Sequence, residues 1–492
     1  MVQFAPCFSG SGNFMKQYSG LLLGFLTLSV CAQEAYQVQV AKEVNPTLRL
    51  PEVKIPWEML SSLLSEEQDA PLDLSEDPQA VARSLDNAVA HGRLEQIKVL
   101  LPHYKKFPEH ERNEQLIRFA EAALAQSVGN VKQTIELYRE MIANDPNLPP
   151  VRLQLALALM RDRQDAAAKD QLERLRSEDL PEEIAAVVDS ALAALRERQA
   201  WSFGVSGYYV HDSNINQAPD IRSRETDQCP FAEKCTITFP EKENADGLYL
   251  RLNADRRLPI KNNWYANFEG SAHANWYWNT DQYDDIQVRL GSGVGYENAR
   301  FDASVLPFVS QRFYAGKKYA HAAGATVSMN YWMTPKWRLS GIYEGEYAQH
   351  DHHSWLDGQR HYQALNLLYL AHSGRYFFGG VNHYYQDAQD DADRFFRYGV
   401  NAGWIEDWSG GLSTRLSASV GKRLYQGADL MANIKRNDTE YNTGVQLWYR
   451  DWHFWGITPK LSLEWNKTNS NHFYYDRKNG TGRAYIELSK TF

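Results

Sequence analysis

The sequence predicts an α-helical tetratricopeptide-like repeat domain followed by a transmembrane antiparallel β-barrel of about 14 strands. Two observations carry this prediction. Apolar positions recur with a helical period over residues 76–198, and from residue 199 to residue 492 they alternate with a period of two. The second face of the alternating segments carries charged and polar residues. That pattern is typical of a closed membrane barrel with an apolar outside and a wet inside.

Residues 1–32 have the pattern of a secretory signal peptide. A basic residue precedes the apolar run Leu21–Val30, and Ala32 is followed by polar residues, so we expect cleavage after Ala32. The run is too short to span a membrane as a helix. Translation starting at Met1 and translation starting at Met15 both fit the pattern, and the sequence leaves this choice open.

The helical part is built from repeated hairpins. Residues 33–75, which precede it, hold prolines and acidic residues with little periodicity, so we expect an extended linker there. Pro146 and Pro181 each stop a helical hairpin and are 35 residues apart, close to the tetratricopeptide period of about 34. The motif's small-residue, turn, aromatic and stop positions fall on Ala122, Gly129, Tyr138 and Pro146. Such arrays offer a concave groove to protein segments, although a purely structural cap would show the same pattern.

The second part contains fourteen strand candidates. They lie near 199–211, 245–257, 262–277, 285–297, 299–312, 321–333, 336–349, 361–372, 374–387, 394–408, 411–425, 438–451, 453–467 and 481–492. Tight turns alternate with longer connections, among them 312–321, which is the outer-membrane pattern. An even number of strands brings both barrel ends to the periplasmic side, where the repeat domain must also lie. Segment 361–372 is ambiguous because Leu365, Leu367 and Leu368 break its alternation.

Charged residues recur on the inward face of these strands. Those expected to face the lumen are Arg251, Arg289, Arg415, Arg423, Arg450, Glu440 and Glu464. Two interpretations stay open for this mixed-charge lining. It is either a network that props the barrel open or a wet, weakly adhesive path for an unfolded chain.

Two further features concern maturation of the barrel. Cys229 and Cys235 lie in a polar insertion between strand candidates, and an exported protein reaches a compartment where disulfides persist, so we expect a bridge between them. The chain ends on Phe492 at the end of an alternating strand. We expect this residue to be a signal for the barrel assembly machinery.

Several stretches resemble the surface lipoprotein assembly modulators of Gram-negative bacteria. They are Val131–Pro146, Asn214–Pro219, Gly456–Lys460 and Lys490–Phe492. The run Asn214–Pro219 reads as a turn on its own. The resemblance implies a role in gating or cargo contact for its members Asn214, Asn216, Gln217 and Pro219.

The resemblance implies an outer-membrane translocon that delivers periplasmic proteins to the cell surface. Its cargo would be surface lipoproteins such as metal- or haem-acquisition receptors, or alternatively a soluble haem-binding protein. We expect the protein to be a monomer. Its other expected partners are a periplasmic chaperone, the barrel assembly machinery and outer-membrane lipid. An exopolysaccharide exporter and a passive porin are less favoured alternatives.

Other classes of function are not expected. A net charge of −9 argues against a nucleic-acid partner. The sequence has neither a nucleophile elbow nor a phosphate-binding loop, so we expect no catalytic residues, no cofactor and no enzymatic activity. The cluster His350-Asp351-His352-His353 falls in a predicted loop, and we expect no metal there.

Overall fold

The computed structural model describes residues 73–178, 180–226, 235–372, 374–429, 433–452, 454–455, 457–477 and 480–491. The predicted signal peptide and nearly all of the predicted linker lie outside these residues. The described chain has two parts, a set of helices followed by a closed sheet. Within the described residues, no helix is long and apolar enough to cross a membrane.

Seven α-helices form the first part. They are α1 (Pro78–Ala90), α2 (Leu94–Tyr104), α3 (Glu114–Ser127), α4 (Val131–Asn144), α5 (Pro149–Arg161), α6 (Asp165–Arg176) and α7 (Glu182–Arg198). The side chains of Asn113 and Asn130 accept hydrogen bonds from backbone N–H groups of α3 and α4, which fixes where these helices start. Gly129 lies in the connection between α3 and α4 and has φ +75°, a conformation that favours glycine.

The repeat-motif residues lie in the core of this helical array. Tyr138 is fully buried, with its ring centroid 6.0 Å from that of Phe119 on the preceding helix. Ala122 is also fully buried, and a small side chain there lets α3 and α4 approach closely. Pro146 lies just after α4, and Pro181 is the residue before α7. The predicted fold of the helical domain is confirmed.

The second part is an antiparallel barrel of 14 strands with one small ribbon beside it. The barrel strands are β1 (Ser202–Asp212), β4 (Ala245–Lys261), β5 (Trp264–Tyr277), β6 (Asp285–Glu297), β7 (Phe301–Tyr314), β8 (Lys317–Thr334), β9 (Trp337–His350), β10 (Gly358–His372), β11 (Arg375–Ala388), β12 (Phe395–Asp407), β13 (Leu412–Ala428), β14 (Lys435–Tyr449), β15 (Thr458–Ser470) and β16 (Thr481–Thr491). Strands β2 (Ser223–Thr226) and β3 (Cys235–Thr238) form the ribbon within the connection from β1 to β4. The prediction of a barrel of about 14 strands is confirmed.

The barrel has a near end, next to the helical domain, and a far end, reached where β1 stops at Asp212. Side chains alternate between the outer surface and the lumen, as the period of two requires. On β6, Leu290 is 60% exposed on the outer surface, whereas its neighbour Arg289 points inward and bonds to Glu344 of β9.

Two details of the sequence-based strand map change in the structure. The predicted long connection 312–321 is wrong, because β7 and β8 continue to the two-residue turn Ala315-Gly316. Both turn residues have positive φ, as a tight type I′ hairpin turn requires. The broken alternation in β10 also has a reason, since Leu368 faces the lumen within an apolar cluster with Tyr376 and Phe378.

Candidate functional site

The barrel closes through an unusually short seam between its first and last strands. Within the part of the chain that the structure describes, which ends at Thr491, β1 and β16 pair over four residues, from Gly204 opposite Thr491 to Gly207 opposite Leu488. The next shortest joint, between β15 and β16, pairs nine. Backbone hydrogen bonds hold barrel strands together, so the seam is the weakest joint of the wall.

Lumenal side chains bridge the seam beyond its last backbone pair. The ring of Tyr208 on β1 stacks on Tyr485 of β16 at 4.1 Å and on Tyr249 of β4 at 4.7 Å between centroids. Closer to the far end, Arg483 of β16 donates to the carboxylate of Asp212 on β1 at 2.9 Å. The far half of the seam is therefore held by side chains instead of a backbone ladder.

The predicted candidate segment Asn214–Pro219 forms a folded lid at the far end. The side chain of Asn214 bonds to Ala218 in both directions, as donor to its carbonyl at 2.9 Å and as acceptor from its N–H at 2.8 Å. Asn216 donates to the backbone carbonyl of Glu241. Ile215, Asn216, Ala218 and Pro219 are buried. The segment is thus a compact unit with an interior.

Ile215 anchors this lid over the lumen. It is 3% exposed and packs in a cluster with Ala245, Tyr277, Tyr283 and Tyr314. Three of these residues, Ala245, Tyr277 and Tyr314, belong to the inward faces of β4, β5 and β7. The lid therefore packs against the lumenal face of the strands at the mouth of the barrel.

The lid also contacts the connection that precedes β16. Arg477 donates to the backbone carbonyl of Gln217 at 2.9 Å, and Gln217 itself has φ +51°. In the same long connection as the lid, Phe239 packs against Phe473, and Arg224 lies 4.2 Å from the centroid of that ring. These contacts join the two chain segments that flank the seam.

Most of the predicted lumenal charges occupy inward positions in the register. Glu440 of β14 accepts from Arg397 at 2.8 Å and from Arg423 at 2.7 Å, and Arg289 pairs with Glu344 at 2.8 Å. Arg251 and Arg415 are also inward, and Arg415 lies over the ring of Phe378. Glu464 accepts from the hydroxyl of Tyr485 at 2.7 Å.

Arg450 is placed differently from the other predicted lumenal charges. It follows the last residue of β14 and donates to the backbone carbonyls of Trp408 and Leu412 at 2.9 Å. It also pairs with Asp407 at 3.3 Å. Arg450 therefore secures the near-end turn between β12 and β13, at the rim of the lumen.

A polar joint fixes the helical domain to the barrel. At the turn from α5 to α6, the backbone carbonyl of Asp162 accepts from the side chain of Asn263, in the turn from β4 to β5. Arg163 pairs with Glu297 at 2.9 Å, and Asn263 also donates to the carbonyl of Glu297 at 2.8 Å. Ala299, in the turn from β6 to β7, packs against the helical core.

A buried ion pair supports this joint from within the helical domain. Asp165 at the start of α6 pairs with Arg198 at the end of α7. Burial raises the pKa of Asp165, and the guanidinium of Arg198 opposes that shift. Burial lowers the pKa of Arg198 in turn. Sequence reasoning missed both the joint and the seam.

Two predicted features fall on residues that the structure does not describe. Cys229 and Phe492 lie outside the described residues, so the predicted bridge to Cys235 and the terminal assembly signal stay predictions. The described part of the chain holds no group of three or more His, Cys, Asp or Glu residues that could hold a metal ion.

The fold and the site define the class of protein, an outer-membrane β-barrel with a helical repeat domain at one end. Residues 201–492 match the sequence profile described as surface lipoprotein assembly modifier, and residues 68–172 match the profile of that family's N-terminal TPR repeats. The chain belongs to the surface lipoprotein assembly modifier family. The resemblance found in the sequence is confirmed, and the near and far ends of the barrel are its periplasmic and extracellular ends.

Curated relatives match over most of the chain. Surface lipoprotein assembly modifier 1 of Haemophilus influenzae is 32% identical over 428 residues, which cover 85% of this chain and 86% of the relative. The protein of the same name from Neisseria meningitidis serogroup B is 32% identical, covering 85% and 84%. The hemophilin secretion modulator of Acinetobacter baumannii is 24% identical over 466 residues, 91% of each chain.

Proposed function

We propose that this chain is a translocon that carries lipoproteins from the periplasm to the cell surface by opening the β1–β16 seam. The four-residue pairing of the seam is the observation that carries the proposal. A lipid-anchored cargo needs a route for its protein part that leaves its acyl chains in the bilayer. A wall that parts at one joint provides such a route, whereas a closed lumen does not.

In this mechanism, the lid and the lumenal side-chain contacts across the seam keep the seam closed while no cargo is bound. Ile215 seats the lid in the extracellular mouth, and Arg477 ties it to the connection before β16. Asp212 and Arg483 hold the strand ends together on the lumenal side. Side-chain contacts of this kind break and re-form more readily than a continuous ladder of backbone hydrogen bonds. Cargo that enters from the periplasmic end can therefore displace them.

The helical domain engages the cargo at the periplasmic entrance. Its joint reaches the turns from β4 to β7, and β4 is the strand that pairs with β1. The concave groove of the helical array, where the cargo would bind, therefore lies beside the seam. Cargo binding and folding at the surface supply the driving force in this scheme, with no hydrolytic step. A periplasmic chaperone delivers the cargo, and the barrel assembly machinery inserts the monomeric translocon by way of Phe492.

Metal- or haem-acquisition receptors are the cargo class we favour. A second candidate is a soluble haem-binding protein that is released into the medium. The similarity to the hemophilin secretion modulator supports this second candidate. Both cargoes would use the same seam, and they differ in whether acyl chains retain the product on the cell.

Surface display in a reconstituted bacterium tests the proposal. The chain is expressed together with a lipoprotein encoded beside its gene, and intact cells are assayed by antibody labelling and protease shaving while the medium is assayed for released cargo. Cell-bound cargo that depends on the chain supports lipoprotein delivery, and cargo found only in the medium supports the soluble class. Cargo that stays in the periplasm with and without the chain contradicts both and favours a porin or a polysaccharide exporter.

A deletion tests the role of the helical domain. A variant that lacks residues 33–198 but keeps the signal peptide and the barrel is expected to lose display. Heat-dependent mobility on gels serves as the control that the barrel has still folded. Undiminished display by this variant contradicts a cargo-engaging role for the helices.

A further inference from the structure

Two lysines lie on the bilayer-facing surface of the barrel. On β13 the outward residues around Lys422 are Val420 and Leu424, which are 43% and 37% exposed. On β15, Lys467 is the next outward-facing residue after Trp465. Both positions break an apolar face, so each lysine needs a physical reason.

The register brings the two lysines near each other on either side of β14. Lys422 is opposite Thr439, and Lys467 is opposite Tyr441, two residues along the same strand. Neighbouring strands are about 4.8 Å apart and two residues span about 7 Å along a strand, so the two lysine backbones lie roughly 12 Å from each other. That spacing suits one ligand with more than one anionic group.

The lysines mark the extracellular edge of the apolar band. Lys422 is ten residues from Leu412, where β13 begins at the periplasmic side. At about 3.3 Å per residue and a tilt of about 40°, this segment rises roughly 25 Å, the height of the apolar band of such barrels. The lysines therefore lie at the head-group level of the outer leaflet.

Neither lysine has a carboxylate partner among the residues that the structure describes. The ammonium group of Lys422 donates to the hydroxyl of Thr439 at 3.1 Å, a neutral acceptor. A lysine facing lipid costs about 0–1 kcal/mol near the interface and about 2–4 kcal/mol at the midplane. An anion in the adjoining leaflet would offset this cost and supply the missing counter-charge.

Polar and aromatic outward side chains continue from Lys422 across the neighbouring strands. One row of directly opposed outward residues crosses five strands: His383, Tyr398, Lys422, Thr439 and Asn469. Tyr398 is 51% exposed, and its ring lies 4.8 Å from that of His383. The row combines hydrogen-bonding groups with Lys422, and Lys467 lies two residues from its last member, Asn469. Cations beside hydrogen-bonding groups are the chemistry that a phosphorylated sugar requires.

We propose that the outward face of β11–β15 at the extracellular edge binds the phosphorylated glycolipid of the outer leaflet, lipopolysaccharide. Lys422 and Lys467 contact its phosphate groups, and Tyr398, Thr439 and Asn469 contact its sugar. The site lies three strands and more from the joint of the helical domain and does not depend on the transport role. Bound glycolipid would fix the depth and tilt of the wall that adjoins the seam through β15 and β16.

Glycolipid binding by the purified full-length protein tests this inference. Wild type, the double variant Lys422→Gln/Lys467→Gln, and the control Lys336→Gln, in an exposed periplasmic turn, are titrated with lipopolysaccharide in detergent. Each lysine near an anionic lipid surface contributes about 1 kcal/mol, so the double variant should bind about 10- to 30-fold more weakly. The control should bind like wild type, and heat-dependent gel mobility checks that all three are folded.

Two further titrations identify the ligand. Dephosphorylated lipopolysaccharide should bind wild type as weakly as the intact lipid binds the double variant. Phosphatidylglycerol vesicles should bind more weakly than lipopolysaccharide and should lose less affinity on the double substitution. Equal affinity of wild type and the double variant for lipopolysaccharide would overturn the proposal, as would phosphatidylglycerol binding that matches lipopolysaccharide.

Discussion

Arg483 and Asp212 form an ion pair of 2.9 Å across the barrel seam, beyond the point where the backbone pairing of β1 and β16 has ended. Asp212 lies five residues after Gly207, the last paired residue of β1, and Arg483 lies five residues before Leu488. The two strands therefore stay adjacent without a ladder between them. The proposed transport through the seam depends on this combination of a short backbone ladder and a side-chain ion pair.

Replacing Arg483 with glutamine should loosen the seam. Asp212 would stay buried without its cation, while Arg483 is partly exposed, so we expect a loss of about 1–2 kcal/mol in unfolding free energy. Conductance in planar bilayers should rise from mostly closed to frequently open. The matched control is Arg289→Gln, which breaks a lumenal ion pair on β6 and β9 away from the seam. Equal conductance of the two variants would argue against a role for the Arg483–Asp212 pair in keeping the seam closed.

Disrupting the lid should open the extracellular mouth. Ile215→Asn puts an amide into an apolar cluster, and substitutions of this size at buried sites cost about 2–5 kcal/mol. Cells carrying this variant should become sensitive to a large antibiotic that the outer membrane normally excludes. Ile221→Asn, at a residue 37% exposed in the same connection, is the control and should leave sensitivity unchanged.

Reversing one charge at the joint should detach the helical domain. Arg163→Glu faces Glu297 with a like charge where an ion pair of 2.9 Å existed, which should weaken docking by about 1–2 kcal/mol. Spin labels on α6 and on the turn from β6 to β7 should show a broader distance distribution. Arg174→Glu, which breaks an exposed pair with Asp170 within α6, should leave the distribution narrow. A narrow distribution in Arg163→Glu would contradict the role assigned to this joint.

The extracellular connection from β11 to β12 should loosen as pH rises. Burial, reinforced by the charge of Asp390, raises the pKa of Asp393 from its usual 3.8 to about 7. A raised carboxyl pKa means that the folded connection holds its proton, so the stabilisation is present at low pH and is lost as pH rises towards 7. Hydrogen exchange over residues 389–394, corrected for intrinsic rates, should quicken between about pH 4 and 7 and then level off. In Asp393→Asn this pH dependence should disappear.

The strands were predictable because each one faces lipid on one side and a water-filled lumen on the other. A residue that faces lipid must be apolar and its neighbour faces a wet lumen, so segments such as β13 and β14 carry their structure in a period of two. The helical hairpins were predictable because Tyr138 and Gly129 occupy fixed positions in a repeat. The connection 312–321 was misread because polar residues continue into strands that extend beyond the apolar band.

The features on which the proposed transport depends were not visible in the sequence. The shortness of the seam depends on where β1 and β16 separate, and both strands keep their alternation past that point. The joint at Asp162 and Asn263 brings together residues 101 positions apart, through backbone carbonyls that any residue type supplies. The lid resembled a simple turn, since the burial of Ile215 depends on tyrosines from three other elements.

Locking the seam covalently is the most direct test of the central claim. Ser206 and Ser489 are directly opposed across β1 and β16, with Cα atoms about 4.5–5.5 Å apart, so Ser206→Cys/Ser489→Cys can form a disulfide. Ser304→Cys/Ser328→Cys is the matched control, because these serines are opposed on β7 and β8. Both pairs are built with Cys229 and Cys235 replaced by serine. The account predicts that oxidation abolishes surface display only for the seam pair and that a reductant restores it. Full display with the seam pair oxidised would contradict the account.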